Sequence, residues 1–269
     1  MKHILAALLF LTLAAPAWGQ DFEKGRQAYG PIDYAAALRK IAPLAEQGDA
    51  TAQIDLAEMY SLGEGVSQDY AAAVKWYRKA AEQGNAKAQT NLGAMYYAGY
   101  HGVPQDYAAA VKWYRKAAEQ GYGNAYFSLG TMYDNGQGVT QDYAEAAKWF
   151  RKAADQGDSI AQLKLGDMSE KGQGVLQDNA QAAMWYRKSA EQGDVLSQFI
   201  LGIRYEKGQG VPQDYVQAHM WFNLSAAYGM KDAAEHRDNL AKHMTAAQIG
   251  EAQKLAREWL PAYEKPKNN

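Results

Sequence analysis

Ala52, Leu56 and Tyr60 stand four residues apart, so a helix through them carries all three on one side. The trio returns as Ala88, Leu92 and Tyr96, and again as Ala125, Leu129 and Tyr133. Between these segments lies a second pattern. The dipeptide Gln-Asp occurs at Gln68-Asp69, Gln105-Asp106, Gln141-Asp142, Gln177-Asp178 and Gln213-Asp214, in steps of 37, 36, 36 and 36 residues. Each Asp opens a run free of Gly and Pro, with Trp76, Trp113, Trp149, Trp185 or Trp221 seven residues on. Gly84, Gly121, Gly157, Gly193 and Gly229 close the runs. Each period therefore predicts two helices. An Asp suited to accept free backbone N–H groups starts the second, and a left-handed glycine stops it. Self-similarity at this period is the mark of a stacked repeat array.

The small residues predict how the helices meet. Gly93, Gly130, Gly166 and Gly202 sit mid-helix, where each costs about 1 kcal/mol relative to Ala. Their recurrence predicts the close approach of another helix backbone. The Ala pairs at 80–81, 117–118 and 153–154 give the second helices an equally slim side. Such short helices bury a continuous core only when neighbours stack. The one extra residue falls in Gly99-Tyr100-His101-Gly102, a predicted loop, and a weaker copy of the pattern begins at Ile32-Asp33-Tyr34.

The unit Ala-x-x-x-Leu-Gly-x-x-Tyr, Gly-x-Gly-Val, Asp-Tyr-x-x-Ala-x-x-Trp-Tyr-x-Lys-Ala-Ala-x-Gln-Gly resembles the Sel1-like repeat, a relative of the tetratricopeptide repeat. The resemblance covers residues 22–229. It implies an all-α fold: a right-handed superhelical solenoid of about six helix pairs, with a concave inner surface used for protein contacts. Residues 230–260 then read as C-terminal capping helices, with Thr245 as an N-cap and Pro261 as a stop, and 261–269 as a disordered tail. Degenerate end repeats fit this picture, because a terminal unit shows water a face that its neighbours bury.

The first residues change the picture of location. Met1-Lys2-His3, the apolar run Ile4–Ala15 and the small residues around Ala17 and Gly19 have the layout of a secretory signal peptide over 1–19, cleaved after Gly19 or Ala17. The run is too short for a span of roughly 20 residues. A periplasmic or secreted protein is expected, with no membrane insertion after cleavage. The chain has no cysteine, which excludes disulfides and thiol-linked lipid, and its formal charge is −2. That balance lacks the basic footprint of a nucleic-acid binder. A monomer held by packing alone is expected, since roughly 250 residues bury enough surface for that.

Candidate chemistry is sparse. The glycine pairs at 63/65, 136/138, 172/174 and 208/210 recur once per repeat and read as turns, lacking the third glycine of a nucleotide fingerprint. The tryptophans read as inter-repeat packing. Arg78-Lys79, Arg115-Lys116, Arg151-Lys152 and Arg187-Lys188 each precede an acid four residues after the Arg, which predicts local pairing on a solvated face. His236 and His243 share a helical side, and His219 reads as a packed histidine, but no zinc signature or nucleophile elbow is present. No cofactor, no metal and no catalytic residue is expected. Some cysteine-rich members of the resembled family have been linked to β-lactam binding or hydrolysis; this chain has none of their cysteines.

Function is expected in the positions that vary over a fixed scaffold. On a helical wheel the row through Ile54, Glu58 and Ser61 lies opposite Ala52, Leu56 and Tyr60. Its equivalents include Thr90 and Tyr97; Phe127 and Thr131; Leu163 and Asp167; Phe199 and Ile203, with Leu196 beside them. By the resemblance this row faces the concave surface, and Ile54, Glu58, Thr90, Tyr97, Phe127, Thr131, Leu163, Asp167, Leu196, Phe199 and Ile203 are the candidate contacts for a protein or peptide. The same side chains would serve equally to complete packing between units. The expectation is a protein-binding adaptor of the bacterial cell envelope. A cell-wall or β-lactam hydrolase and an envelope-assembly scaffold are the two alternatives.

Overall fold

The computed structural model describes residues 33–259. The predicted signal peptide over 1–19, the start of the weak first repeat and the tail over 261–269 lie outside the described residues. Among those described there are thirteen α-helices and no strand. Packing divides the chain after Ala125. The first unit holds α1 (Tyr34–Glu46), α2 (Ala50–Leu62), α3 (Tyr70–Glu82), α4 (Ala86–Ala98) and α5 (Tyr107–Glu119). Past α6 (Gly123–Asn135), which begins at the division, come α7 (Tyr143–Asp155), α8 (Ser159–Lys171), α9 (Asn179–Glu191), α10 (Val195–Lys207) and α11 (Tyr215–Ala227). Then α12 (Lys231–Ala241) and α13 (Ala246–Trp259) close the second unit.

The repeated dipeptide does two jobs. Each Asp caps the second helix, as predicted: Asp69 Oδ1 accepts from the Ala72 amide at 3.0 Å and Asp142 Oδ1 from the Glu145 amide at 2.9 Å. The preceding Gln ties off the first helix. Gln68 Nε2 donates to the Ser61 carbonyl at 2.8 Å, Gln141 to Asp134 at 2.7 Å and Gln177 to Glu170 at 2.9 Å. These carbonyls have no partner inside their own helix. The first helices have caps of their own, Asp49, Asn85, Asp158 and Asp194. Gly84 turns the chain between helices at φ +91°, a conformation that costs other residues a steric penalty. The loop with the extra residue closes through paired Tyr100–Val103 backbone hydrogen bonds of 2.8 Å, and Tyr100 stacks on Tyr70 at 4.4 Å.

At the mid-helix glycines the structure corrects the expectation. The neighbour is an aromatic ring, not a backbone. A Cβ built on Gly93 would lie 2.8 Å from the Tyr114 ring; on Gly130 and Gly166 it would lie 2.6 Å from Phe150 and Tyr186, and on Gly202 2.5 Å from Phe222. The ring comes from the second helix of the same repeat and is buried each time. It follows the tryptophan by one residue and is the deeper anchor. Trp113, Trp185 and Trp221 are buried, whereas Trp76 and Trp149 are partly buried. Lys79 lies over Trp76 and Lys152 over Trp149, at 4.1 and 4.3 Å from the ring centroids.

A glutamine ladder joins successive repeats. Gln53 and Gln89, both buried, donate to the carbonyls of Ala45 and Ala81 in the preceding helix at 3.1 Å. Their own Oε1 atoms accept from Gln83 and Gln120 at 2.8 Å. Gln162 repeats both bonds in the second unit. At Gln198 the donor position is held by Tyr228, and the Oε1 atom is buried without a partner. The repeats end there: α12 has Met230 as its N-cap, with no side-chain cap bond. The closing helix α13 has the predicted Thr245 cap, with Gln248 Oε1 accepting from the Thr245 amide at 2.8 Å, and Trp259 lies 5.3 Å from Trp221.

Candidate protein-binding face

The side of the first helices that meets solvent is narrow. In α8 it runs through Ile160, Lys164, Asp167 and Lys171; in α10 through Leu196, Ile200, Ile203 and Lys207. The matching line in α2 is Thr51, Asp55, Glu58 and Leu62. The spacing of four, three and four residues is one helical stripe. Beside it α2, α4, α8 and α10 are packed, because each touches the second helix of its own repeat and the helix before it.

The predicted row is therefore only partly exposed. Ile54, Thr90 and Leu163 are buried and cannot meet a partner, so the exposed row expected through them is absent. The wheel was centred one position off, because sequence periodicity registers one packed side where two exist. Phe127 and Phe199 are half-buried, their rings 5.6 Å from Phe150 and 5.9 Å from Phe222. Tyr97 lies at the edge, 5.5 Å from the Tyr107 ring. Glu58, Thr131, Asp167 and Ile203 stand on the exposed stripe, and so does Leu196, which is 41% exposed. The sequence reading missed Ile160, 37% exposed, and Ile200. The signal for Ile160 was its place one repeat before Leu196, where other units carry Thr51, Lys87 and Asn124.

Polar contacts cross the stripe between several neighbouring first helices. Lys87 Nζ meets Glu58 Oε1 at 2.8 Å, Lys164 meets Asp134 at 3.8 Å and His236 Nδ1 meets Glu206 at 3.5 Å. Burial pushes the Asp55 and Glu58 carboxyls up from their ordinary values, and Lys87 draws both back down in part. At two of the four positions the arginine reaches the next repeat instead of the acid expected along its own helix. Arg78 donates to the Tyr96 hydroxyl and Arg187 to the Tyr205 hydroxyl.

One junction departs from the pattern. Met59, Met95, Met132 and Met168 occupy a buried row that α10 fills with Arg204, 3% exposed. Two tyrosine positions nearby have become Ser169 and Asn179. Arg204 pairs with Glu170 Oε2 at 2.6 Å, donates to Asn179 Oδ1 at 3.2 Å and lies over the Tyr186 ring. The Tyr186 hydroxyl lies 2.7 Å from Asp167 Oδ1 and 2.9 Å from Glu170 Oε2, and its single proton is shared between them. Burial, then the Asp167 charge, hold that phenol well above its usual range. Asp167 and Glu170 are thus each held through one oxygen. Among the described residues no cluster of three or more His, Cys, Asp or Glu side chains could hold a metal, and no helix is long and apolar enough to cross a membrane.

Five Sel1 repeats match the family model, at residues 50–85, 86–122, 123–158, 159–194 and 195–229. The chain belongs to the Sel1 repeat family. It is an all-α solenoid of tandem Sel1 repeats, and repeats of this family generally mediate protein–protein interaction and are typically non-enzymatic scaffolds. Among solved structures, this Sel1 repeat chain is similar to a protective antigen present in uropathogenic Escherichia coli strains, with 41% identity over 87% of this chain and a TM-score of 0.79. It spans 50% of that chain's length. A Sel1 repeat protein from Oxalobacter formigenes is 34% identical over 91% of this chain and 97% of its own, with a TM-score of 0.72. No curated protein matches the chain.

Proposed function

We propose that this Sel1 repeat chain is an adaptor of the bacterial cell envelope that binds a partner protein through the exposed stripe of its first helices. One observation carries this reading. Scaffold positions repeat almost unchanged, while the stripe changes character from Thr51, Asp55 and Glu58 to Leu196, Ile200 and Ile203. Aliphatic side chains left at the surface of a regular array, beside acids held in place, have the composition of a recognition surface. The signal-like sequence over 1–19 supports export to the periplasm or the outside.

The test is affinity capture from an envelope fraction with the mature chain, comparing variants of stripe and outer surface. Ile160→Ser with Leu196→Ser should lose the captured protein at unchanged helical content. Arg78→Ala with Lys79→Ala should retain it. Equal capture by all three chains would end this reading; several unrelated proteins lost together would favour an assembly scaffold. N-terminal sequencing should return a start near Gln20 or Trp18, and an intact Met1 in a cytoplasmic fraction would refute export.

A further inference from the structure

Resting on the protein-binding reading, the chemistry around α10 specifies what kind of surface the partner presents. Leu196, Ile200 and Ile203 follow one another at four and three residues, each open to solvent in part, and Ile160 extends the strip onto α8. In α4 the same positions are Lys87, Asn91 and Ala94. Ile200 and Ile203 rest in part on the core, while Leu196 and Ile160 are 41% and 37% exposed. On the α8 side it is bordered by Asp167 and Glu170, and on the α12 side by Glu206, Asp232 and Glu235. The nearby bases Lys164 and Arg204 are already engaged, by Asp134 at 3.8 Å and Glu170 at 2.6 Å. His236 lies 3.5 Å from Glu206, and Lys231 adjoins Asp232. Among the described residues this leaves Asp167, Asp232 and Glu235 as the border acids without an ion pair to a base. Lys171 and Lys207 stand only at the far helix ends. An apolar strip between two acidic borders calls for an apolar ridge between two basic ones.

We propose that the strip over α8, α10 and α12 docks an amphipathic helix of another protein whose apolar side is flanked by lysine or arginine. A helix lays side chains at i, i+4 and i+7 along one line, which matches the run of Leu196, Ile200 and Ile203. The acidic borders steer and orient the cation-bearing flanks. Tyr186 and Arg204 hold Asp167 and Glu170 in advance, so little side-chain freedom is lost when a cation arrives. This assigns a role to the one buried arginine that breaks the methionine row.

The probe is a synthetic helix of about five turns with a leucine side bordered by lysines. Its controls are the same peptide with glutamates for lysines and a scrambled lysine peptide. Binding to the full chain is followed by fluorescence anisotropy at physiological salt. The lysine peptide should bind at least roughly tenfold tighter than either control, a difference of about 1.4 kcal/mol. Leu196→Asp and Leu196→Ser should each weaken it by about tenfold or more, and Thr51→Asp in the first unit should leave it unchanged. Asp167→Asn with Asp232→Asn should weaken it and flatten its salt dependence. Equal binding of the lysine and glutamate peptides, or indifference to both Leu196 variants, overturns the proposal. So does self-association of the chain that Leu196→Asp abolishes, which would assign the strip to a second copy. If the lysine peptide fails while envelope capture is still lost in the Leu196 variants, the cationic-helix assignment falls and the protein-binding reading stands.

Discussion

The two units are built from one repeat and differ in what the repeat leaves exposed. In the first, the stripe is mainly polar, with Leu62 at the end of α2, and partly self-satisfied: Glu58 takes Lys87, and Asp55 stands one turn away. In the second it turns aliphatic through Ile160, Leu196, Ile200 and Ile203. The ring beneath varies between tyrosine (Tyr77, Tyr114, Tyr186) and phenylalanine (Phe150, Phe222). At one repeat it reaches the stripe, where the Tyr186 hydroxyl meets Asp167 at 2.7 Å. The helices and their turns stay the same.

The largest expected effect tests whether the core is truly shared. Phe222→Ala in the second unit and Tyr77→Ala in the first should each cost about 3–5 kcal/mol, measured by chemical denaturation with hydrogen exchange to locate the loss. Trp149→Ala should cost less than Phe150→Ala because Trp149 is only partly buried and Phe150 fully so. A larger loss at Trp149 would reverse the order of the two anchors. Next comes the contact at the glycine. Gly202→Ala should destabilise by about 1–3 kcal/mol, since the new Cβ would meet Phe222 at 2.5 Å. The first unit already carries Ala57 at this position, so Ala57→Gly should cost only about 1 kcal/mol of helix propensity. If Gly202→Ala stabilised the chain, the ring would have room that the structure denies it.

Acid should separate the units in opposite directions. His219 is buried in α11, and burial, then Arg237, lowers its pKa below 6.5. The unfolded chain binds that proton more readily, so this contribution is full above pH about 6.5 and is lost as pH falls through the lowered value. Asp55 and Glu58 have raised values. Their ionisation costs stability as pH rises through those values, so the first unit should gain from their protonation. Thermal melts from pH 7 to 5 should show the second unit weakening, and His219→Gln should flatten that slope. A His219→Gln chain with the parent's slope would exclude His219 as the cause. The smallest effect is expected at Arg204→Met, which restores the methionine row. Glu170 is 42% exposed and can turn to water, so the change should stay within about 1 kcal/mol, read from denaturant midpoints. A loss of several kcal/mol would make the arginine structural and remove its proposed positioning role.

By itself the sequence determined the helices, their order and their ends. Asp69 and its equivalents, Gly84 and its equivalents, and the 36-residue step are local signals, and a cap or a left-handed glycine acts within one turn of its own position. Family membership followed from the same residues. What only the tertiary structure decided was which side of each first helix stays open. Ile54, Thr90 and Leu163 vary between repeats as surface positions do, yet they are buried. Their helices are gripped by two second helices rather than one, and periodicity along a single helix cannot register the second grip. The same limit hid the aromatic ring at Gly93 and the Arg204 junction, where Ser169, Asn179 and Arg204 compensate one another across two repeats. Local rules read one helix at a time, and these features exist only where three helices meet.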